Sequence, residues 1–231
     1  IAEKYPDADV NDMFTELRSK FPILAAEAGI EPGWEYDALY AKAERALEFF
    51  YQYVSGMRTG YKTGRGATAQ EFGPRSLVTV EQEVTATFDF EALEVKINGV
   101  IDRVEKDQSG RPYIVDLKTG ATELSAADIT RLPQLGVYQA MVKAGALDGI
   151  VERSDPAGAA LVQLGKNRTN VQIQPQDALE AGHTWAEQDI WDAARWVQGP
   201  YFYAVHQEEG CSLKTLCPLC KEGQQVTEWL I

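Results

Sequence analysis

Between Gly99 and Gly120 the chain reads Gly-Val-Ile-Asp-Arg-Val-Glu-Lys-Asp-Gln-Ser-Gly-Arg-Pro-Tyr-Ile-Val-Asp-Leu-Lys-Thr-Gly. Two alternating runs flank a turn. Val95, Ile97, Gly99 and Ile101 keep a two-residue period before it, and Tyr113, Val115 and Leu117 keep one after it. Asp107-Gln-Ser-Gly-Arg111 has the composition of a tight turn. A turn centred on Ser109 pairs residues whose numbers sum to 218, which sets Asp102 opposite Asp116 and leaves Lys118 on the same face. Directly opposed side chains lie about 4.5–5.5 Å apart at Cβ, and like charges there are destabilising. Two carboxylates sharing one lysine make poor packing but good ligands for a hard divalent cation, with the lysine at hand for chemistry. A surface salt-bridge hairpin is the bland alternative.

The 231 residues, 45% of them hydrophobic, suffice for one generous core or a core with a helical annex. No apolar run approaches the ~18 residues of a membrane span. A net charge of −13 disfavours a general nucleic-acid binder, yet the basic residues gather in two places. Arg58, Lys62, Arg65 and Arg75 fall in a Gly-rich stretch whose one acid is Glu71, and Lys166-Asn-Arg168 makes a second knot. These are either two solvated loops or a phosphate-contacting rim around a site whose metals cancel local acid. Cys211, Cys217 and Cys220 do not form a disulfide framework and point to a cytoplasmic setting. The start at Ile1, without initiator Met or signal pattern, reads as a piece of a longer chain.

Along the chain, Val10, Met13, Phe14, Leu17 and Phe21 predict a first helix, and Pro22 and Pro32 punctuate the segment after it. A longer helix over 36–57 buries Leu39, Ala43, Ala46, Leu47, Phe50, Tyr53 and Val54. A basic, glycine-rich loop over 59–74 leads to a strand over 77–90, in which Val78, Val80, Val84, Ala86, Phe88 and Phe90 alternate. After Gly120, Ser125-Ala-Ala-Asp128 resembles a capping box. The next helix, over 133–143, turns Leu135, Tyr138, Met141 and Val142 inward, with Gln134 and Tyr138 as i,i+4 neighbours. Strands over 158–165 and 169–174 come next. A second capping box, Thr184-Trp-Ala-Glu187, opens a helix to about 197 that buries Ala186, Ile190, Ala194 and Val197. The expected organisation is one domain: a helical part over 1–75, a sheet core over 76–175, and a helix with a cysteine-bearing tail over 176–231.

Asp102 and Asp116, with the Leu117 carbonyl, are the candidate ligands for one or two Mg²⁺ ions that polarise a phosphodiester and activate water. Lys118 would orient that water or stabilise charge developing on phosphorus. Glu81 is either an additional ligand or a solvated strand-edge acid. Lys118-Thr-Gly lacks the Ser-x-x-Lys nucleophile of a β-lactamase box, and Gly60-Tyr-Lys-Thr-Gly is not a Walker A loop. His183 and His206 read as surface or capping residues.

The order of helix and strands, then Gly99-x-x-Asp102-Arg103, Asp116-Leu-Lys-Thr-Gly120 and Gln134-Leu-x-x-Tyr138, resembles the PD-(D/E)xK nuclease superfamily. More narrowly, it resembles the RecB-type nuclease domain of bacterial helicase–nucleases, with AdnB-like and AddB-like subunits nearest in pattern. The resemblance implies a restriction-endonuclease-like α/β core, a central mixed sheet flanked by helices. It places Asp102, Asp116 and Lys118 on metal and catalytic positions, and Gln134 and Tyr138 on a helix motif beside the active site and the DNA. It implies a Mg²⁺- or Mn²⁺-dependent exodeoxyribonuclease that cuts single strands fed by a helicase motor during repair and recombination of broken DNA. The implied partners are DNA, motor domains of the same chain and a second helicase–nuclease subunit. A catalytically silent module for DNA contact or subunit docking is the rival, and a stand-alone exonuclease of the kind used in CRISPR adaptation is a third reading.

Two departures qualify the match. The family's histidine ligand would fall just before Ile1. Relatives also often carry a 4Fe-4S iron–sulfur cluster on one upstream cysteine and a C-x2-C-x5-C run. Here Cys211-x5-Cys217-x2-Cys220 reverses those spacings, so a cluster, a zinc site and free thiols all stay open.

Overall fold

The computed structural model describes residues 10–63, 70–91, 93–120, 124–165 and 169–199. Two helices come first. Helix α1 (Val10–Glu27) buries Met13 and Ala25, and its Phe21 ring sits edge-on to Tyr36 and Tyr40 of α2 (Trp34–Thr59), at 5.2 and 5.1 Å. Pro22 does not end α1, contrary to the expectation from its ring. Phe21 and the buried Ala25 hold the helix on both sides of the lost hydrogen bond. On α2 the buried residues are Phe49, Tyr53, Val54 and Met57, so the stripe is rotated toward Phe49 and Met57 relative to the predicted one.

The glycine-rich stretch is not all loop. Strands β1 (Tyr61–Thr63) and β2 (Gln70–Phe72) pair antiparallel, with Tyr61 stacked on Phe72 at 4.9 Å. Five further strands make the main sheet: β3 (Ser76–Phe90), β4 (Leu93–Lys106), β5 (Pro112–Lys118), β6 (Gly158–Gln163) and β7 (Gln172–Gln176). Their spatial order is sequential, and β5–β6 is the parallel pair among antiparallel ones. The parallel step needs a crossover, which α3 (Ala126–Thr130) and α4 (Pro133–Lys143) supply. The fold is therefore α/β, a mixed sheet flanked by helices.

The turn chemistry fixes the β4–β5 register. Asp107 Oδ1 accepts from the Ser109 amide, the Ser109 hydroxyl and the Arg111 amide, and Gly110 takes φ 80°. Arg103 faces Val115 and Lys106 faces Pro112, so paired numbers sum to 218. One sheet face packs Tyr113, Val115, Ala160 and Val162 against Phe49, Tyr53 and Met57 of α2. The other packs Val104, Ile114 and Leu161 against Leu135 and Met141 of α4 and against Ala186 and Ile190 of α5 (Trp185–Gln198).

Along β4 the core positions change phase. Val95, Ile97 and Ile101 share a cluster with Val104, whereas a strict two-residue period would have placed Arg103 there. Beside this step, on β3, Glu81 adopts φ 46°. The irregularity brings Asp102 and Val104 to the α4 side and sends Arg103 and Glu105 under α2, a re-aiming typical of strands beside functional sites.

Both capping boxes form, at Ser125–Asp128 and Thr184–Glu187. The chain divides into two units, Ile1–Trp191 and Asp192–Ile231. Ala186 and Ile190 are buried as expected, whereas Ala194 is half-buried and Val197 exposed, contrary to the expectation. No helix among the described residues is long and apolar enough to cross a membrane.

Candidate active site

The end of β5 gathers the candidate residues. Asp116 is nearly fully buried, at 3% exposure, while the Lys118 side chain is 38% exposed. Alternation puts both on the α4 face of the sheet. Gln134, in the first turn of α4, ties them together: its Nε2 donates to Asp116 Oδ1 at 2.7 Å, and its Oε1 accepts from Lys118 Nζ at 3.1 Å. Lys118 Nζ also lies 2.7 Å from Asp116 Oδ2, so among the described residues that buried oxygen is held by the lysine's charge rather than by an aligned hydrogen bond. Asp102 reaches across from β4, and its Oδ2 accepts the Leu117 amide at 2.8 Å.

Burial pushes the Asp116 carboxyl above the ordinary carboxylate range; Lys118 pulls it back, and the Asp102 charge adds to the rise. A buried carboxylate whose Oδ2 faces a lysine ammonium is suited to a cation that would take the place of the lysine contact. No set of three His, Cys, Asp or Glu side chains able to hold a metal occurs among the described residues. The carboxylates present are Asp102 and Asp116. This set fits Mg²⁺, which commonly binds one or two carboxylates and keeps several waters.

Tyr138, one turn after Gln134, donates from its hydroxyl to the Val100 carbonyl at 2.7 Å. Gly99 explains how: a Cβ there would sit 3.0 Å from Tyr138 Cε1, so the glycine lets the ring lie close on β4 without a shift. A tighter approach locks the other edge of the site. A Cβ on Gly165 would fall 1.8 Å from the Thr119 carbonyl oxygen, while the Leu164 and Gly165 amides bond the Lys118 carbonyl at 2.8 and 3.3 Å. Gly165→Ala is expected to force the Asp116–Thr119 segment out of place. The cost is about 1–3 kcal/mol, read as a lower melting temperature.

The structure brings together Asp102, Asp116, Leu117, Lys118, Gln134 and Tyr138. Arg58 is exposed at the end of α2, and Lys62 pairs with Glu71 across the β1–β2 hairpin. Glu81 is exposed on β3. His183 is exposed, within 3.4 Å of Gln188. Arg65, Lys166, Arg168, His206, Cys211, Cys217 and Cys220 lie outside the described residues.

Arg75 is a correction. It is no part of a solvated basic rim but is buried, its Nε 2.8 Å from Glu105 Oε2 and its Nη2 bonded to the Tyr53 and Tyr61 hydroxyls. Its guanidinium lies 3.9 Å from the Tyr113 ring centre. Arg103 Nε holds the other Glu105 oxygen at 2.6 Å. Two arginines and one glutamate thus sit buried together, with Arg103 and Glu105 one and three residues along β4 from Asp102. The alternation of Arg103 and Glu105 was the signal that could have disclosed them.

The family model described as the PD-(D/E)XK nuclease superfamily matches residues 4–218. No match is found among curated proteins. A solved structure entitled "Crystal structure of SSO0001" aligns at 18% identity with a TM-score of 0.35, over 51% of this chain and 48% of its own. The chain thus spans about half the length of that one.

Proposed function

The chain belongs to the PD-(D/E)XK nuclease superfamily, and from that premise we propose that it is a metal-dependent DNA nuclease domain. In this reading it hydrolyses phosphodiester bonds of single strands delivered by a helicase motor, as part of double-strand-break repair. The observation that carries the hydrolytic part is the Asp116–Gln134–Lys118 triangle beside Asp102. The helicase partner, the second subunit and the repair setting rest on the Asp116-Leu-Lys-Thr-Gly120 and Gln134-Leu-x-x-Tyr138 motifs alone.

Asp102, Asp116 and the Leu117 carbonyl would hold Mg²⁺ or Mn²⁺, which when bound polarises the phosphodiester and lowers the pKa of water. The residues do the rest. Gln134 keeps Asp116 and Lys118 in fixed relation through both ends of one amide. Lys118, half exposed at the strand end, presents its ammonium to the charge that grows on the phosphoryl oxygens. Tyr138 holds β4 to α4, so Asp102 stays aligned with β5. Arg58 and Lys62 are candidate phosphate contacts, as are Arg65, Lys166 and Arg168. A cluster or zinc on Cys211, Cys217 and Cys220 remains a proposal for metal analysis and visible absorbance.

The test is cleavage of end-labelled single-stranded DNA by this chain with Mn²⁺. Cleavage that Lys118→Ala reduces by about 10²–10³-fold supports the reading. DNA binding without cleavage, in protein that takes up Mn²⁺, favours the silent docking module. Cleavage untouched by Lys118→Ala removes the assignment of that residue.

A further inference from the structure

Two glutamine ladders run through the interior on the α4 side of the sheet, and they end differently. In the first, Gln176 Nε2 donates to the Ile129 and Leu132 carbonyls, Gln139 Nε2 donates to Gln176 Oε1, and Gln139 Oε1 accepts the Leu179 amide. Every polar end is met. In the second, Gln174 Nε2 donates to the Leu124 carbonyl at 2.7 Å, and Gln163 Nε2 donates to Gln174 Oε1 at 3.1 Å. The Leu124 carbonyl can only accept, so Gln174 must present its amide nitrogen there and its oxygen to Gln163. Gln163 must in turn present nitrogen to Gln174. Its own Oε1 is left over.

That oxygen is buried, with Gln163 1% exposed, and no donor among the described residues reaches it. An unmet buried acceptor is costly and is seldom kept without a use. Its place suggests the use. In the parallel β5–β6 pair, Gln163 is the register partner of Lys118, on a neighbouring strand about 4.8 Å away. The bond to Gln174, and through it to Leu124, puts the Gln163 side chain on the same sheet face as Lys118, Asp116 and Gln134.

We propose that Gln163 is a positioning residue for Lys118: its Oε1 would accept the Lys118 ammonium when Asp116 serves a divalent cation instead of the lysine. Without the cation, Lys118 Nζ leans on Asp116 and Gln134. With it, the lysine loses its anionic neighbour and keeps Gln134. The open end of the second ladder then supplies a replacement acceptor and holds the ammonium at the strand end. The inference rests on the metal-dependent nuclease reading.

The experiment is Ca²⁺ titration of the ¹⁵N-labelled chain, following the Gln163 side-chain amide and the Leu117 backbone amide, which reports on Asp102. Both resonances are expected to move together. In Lys118→Met, the Leu117 shift should persist and the Gln163 shift should vanish. A Gln163 resonance that stays put while Leu117 moves, or that moves equally in Lys118→Met, overturns the proposal and leaves the nuclease reading standing. No response at Leu117 removes the metal reading, and this proposal with it. As a second measurement, Gln163→Met is expected to lower kcat by about 10- to 100-fold with KM unchanged. An unchanged kcat in folded protein, or an equal change in KM, counts against it.

Discussion

Replacing Asp116 with asparagine is expected to abolish Mn²⁺-dependent cleavage, by about 10²–10³-fold or more, while leaving the metal-free fold at least as stable at neutral pH. The two effects share a cause. Burial raises the folded-state pKa of Asp116, so the folded chain binds this proton more tightly than the unfolded chain does. Stability from that group is fully present below the unfolded pKa, about 3.9, and is lost as pH rises through the raised folded value. At neutral pH the wild type therefore carries an ionised carboxylate that the fold disfavours. Asparagine removes it and keeps an oxygen for the Gln134 amide. The melting temperature of Asp116→Asn should exceed that of the wild type at pH 7–8, and the gap should close below about pH 4. Divalent metal should reverse the order, because only the wild type gains RT ln(1 + [L]/Kd) from a carboxylate ligand. Equal shifts of both melting temperatures with Mg²⁺ would show that Asp116 is not a ligand.

Much of that site is legible in the residues themselves. Asp-Gln-Ser-Gly-Arg states its turn chemistry plainly, so a register summing to 218 comes from side chains that bond their own backbone. Asp116 and Lys118 share a face by the period of a strand, and Gln134 and Tyr138 by the period of a helix. The Asp102 contact is harder to foresee, since its partner is the Leu117 amide rather than a side chain. Arg75 is misread because a basic residue among glycines looks solvated. Only α2 and the β1–β2 hairpin closing over it make it a core residue. Glu105 sits in Asp-Arg-Val-Glu-Lys, a run that reads as an exposed strand end until Tyr53 covers it. The buried Gln163 escapes notice for the same reason: β6 is covered on both faces, which a short polar-ended strand does not announce.

The second large effect belongs to Glu105, the shared anion of the buried cluster. Its Oε1 accepts from the Tyr53 hydroxyl at 2.8 Å and from Arg103 Nε at 2.6 Å, and its Oε2 from Arg75 Nε at 2.8 Å. The glutamate is 0% exposed, Arg103 1% and Arg75 6%. Two guanidiniums against one carboxylate leave this cluster net positive even in the intact protein, and Arg103 Nη1 has no hydrogen-bond partner among the described residues. Removing the carboxylate would strand both cations in low dielectric. Breaking a buried pair in this way costs about 3–5 kcal/mol. For a chain of this size that corresponds to roughly 6–20 °C in melting temperature, at about 2–4 °C per kcal/mol. Glu105→Ala is therefore expected to melt far below the wild type, whereas Tyr53→Phe, which removes one hydroxyl, should lose only about 0.5–1.5 kcal/mol. Burial pushes the phenols of Tyr53, Tyr61 and Tyr113 above their ordinary range, which favours their neutral form in the fold. Folding thus favours their protonated form, and stability should fall as pH rises past the unfolded value of about 10. Mutating all three charged residues together, Arg75, Glu105 and Arg103 to apolar residues of similar volume, should recover most of the stability lost in Glu105→Ala. Thermal melts of the single and triple variants decide the matter. A Glu105→Ala protein melting within about 2–3 °C of wild type, roughly one kcal/mol or less at this size, would mean that the cluster does not hold β4 to α2.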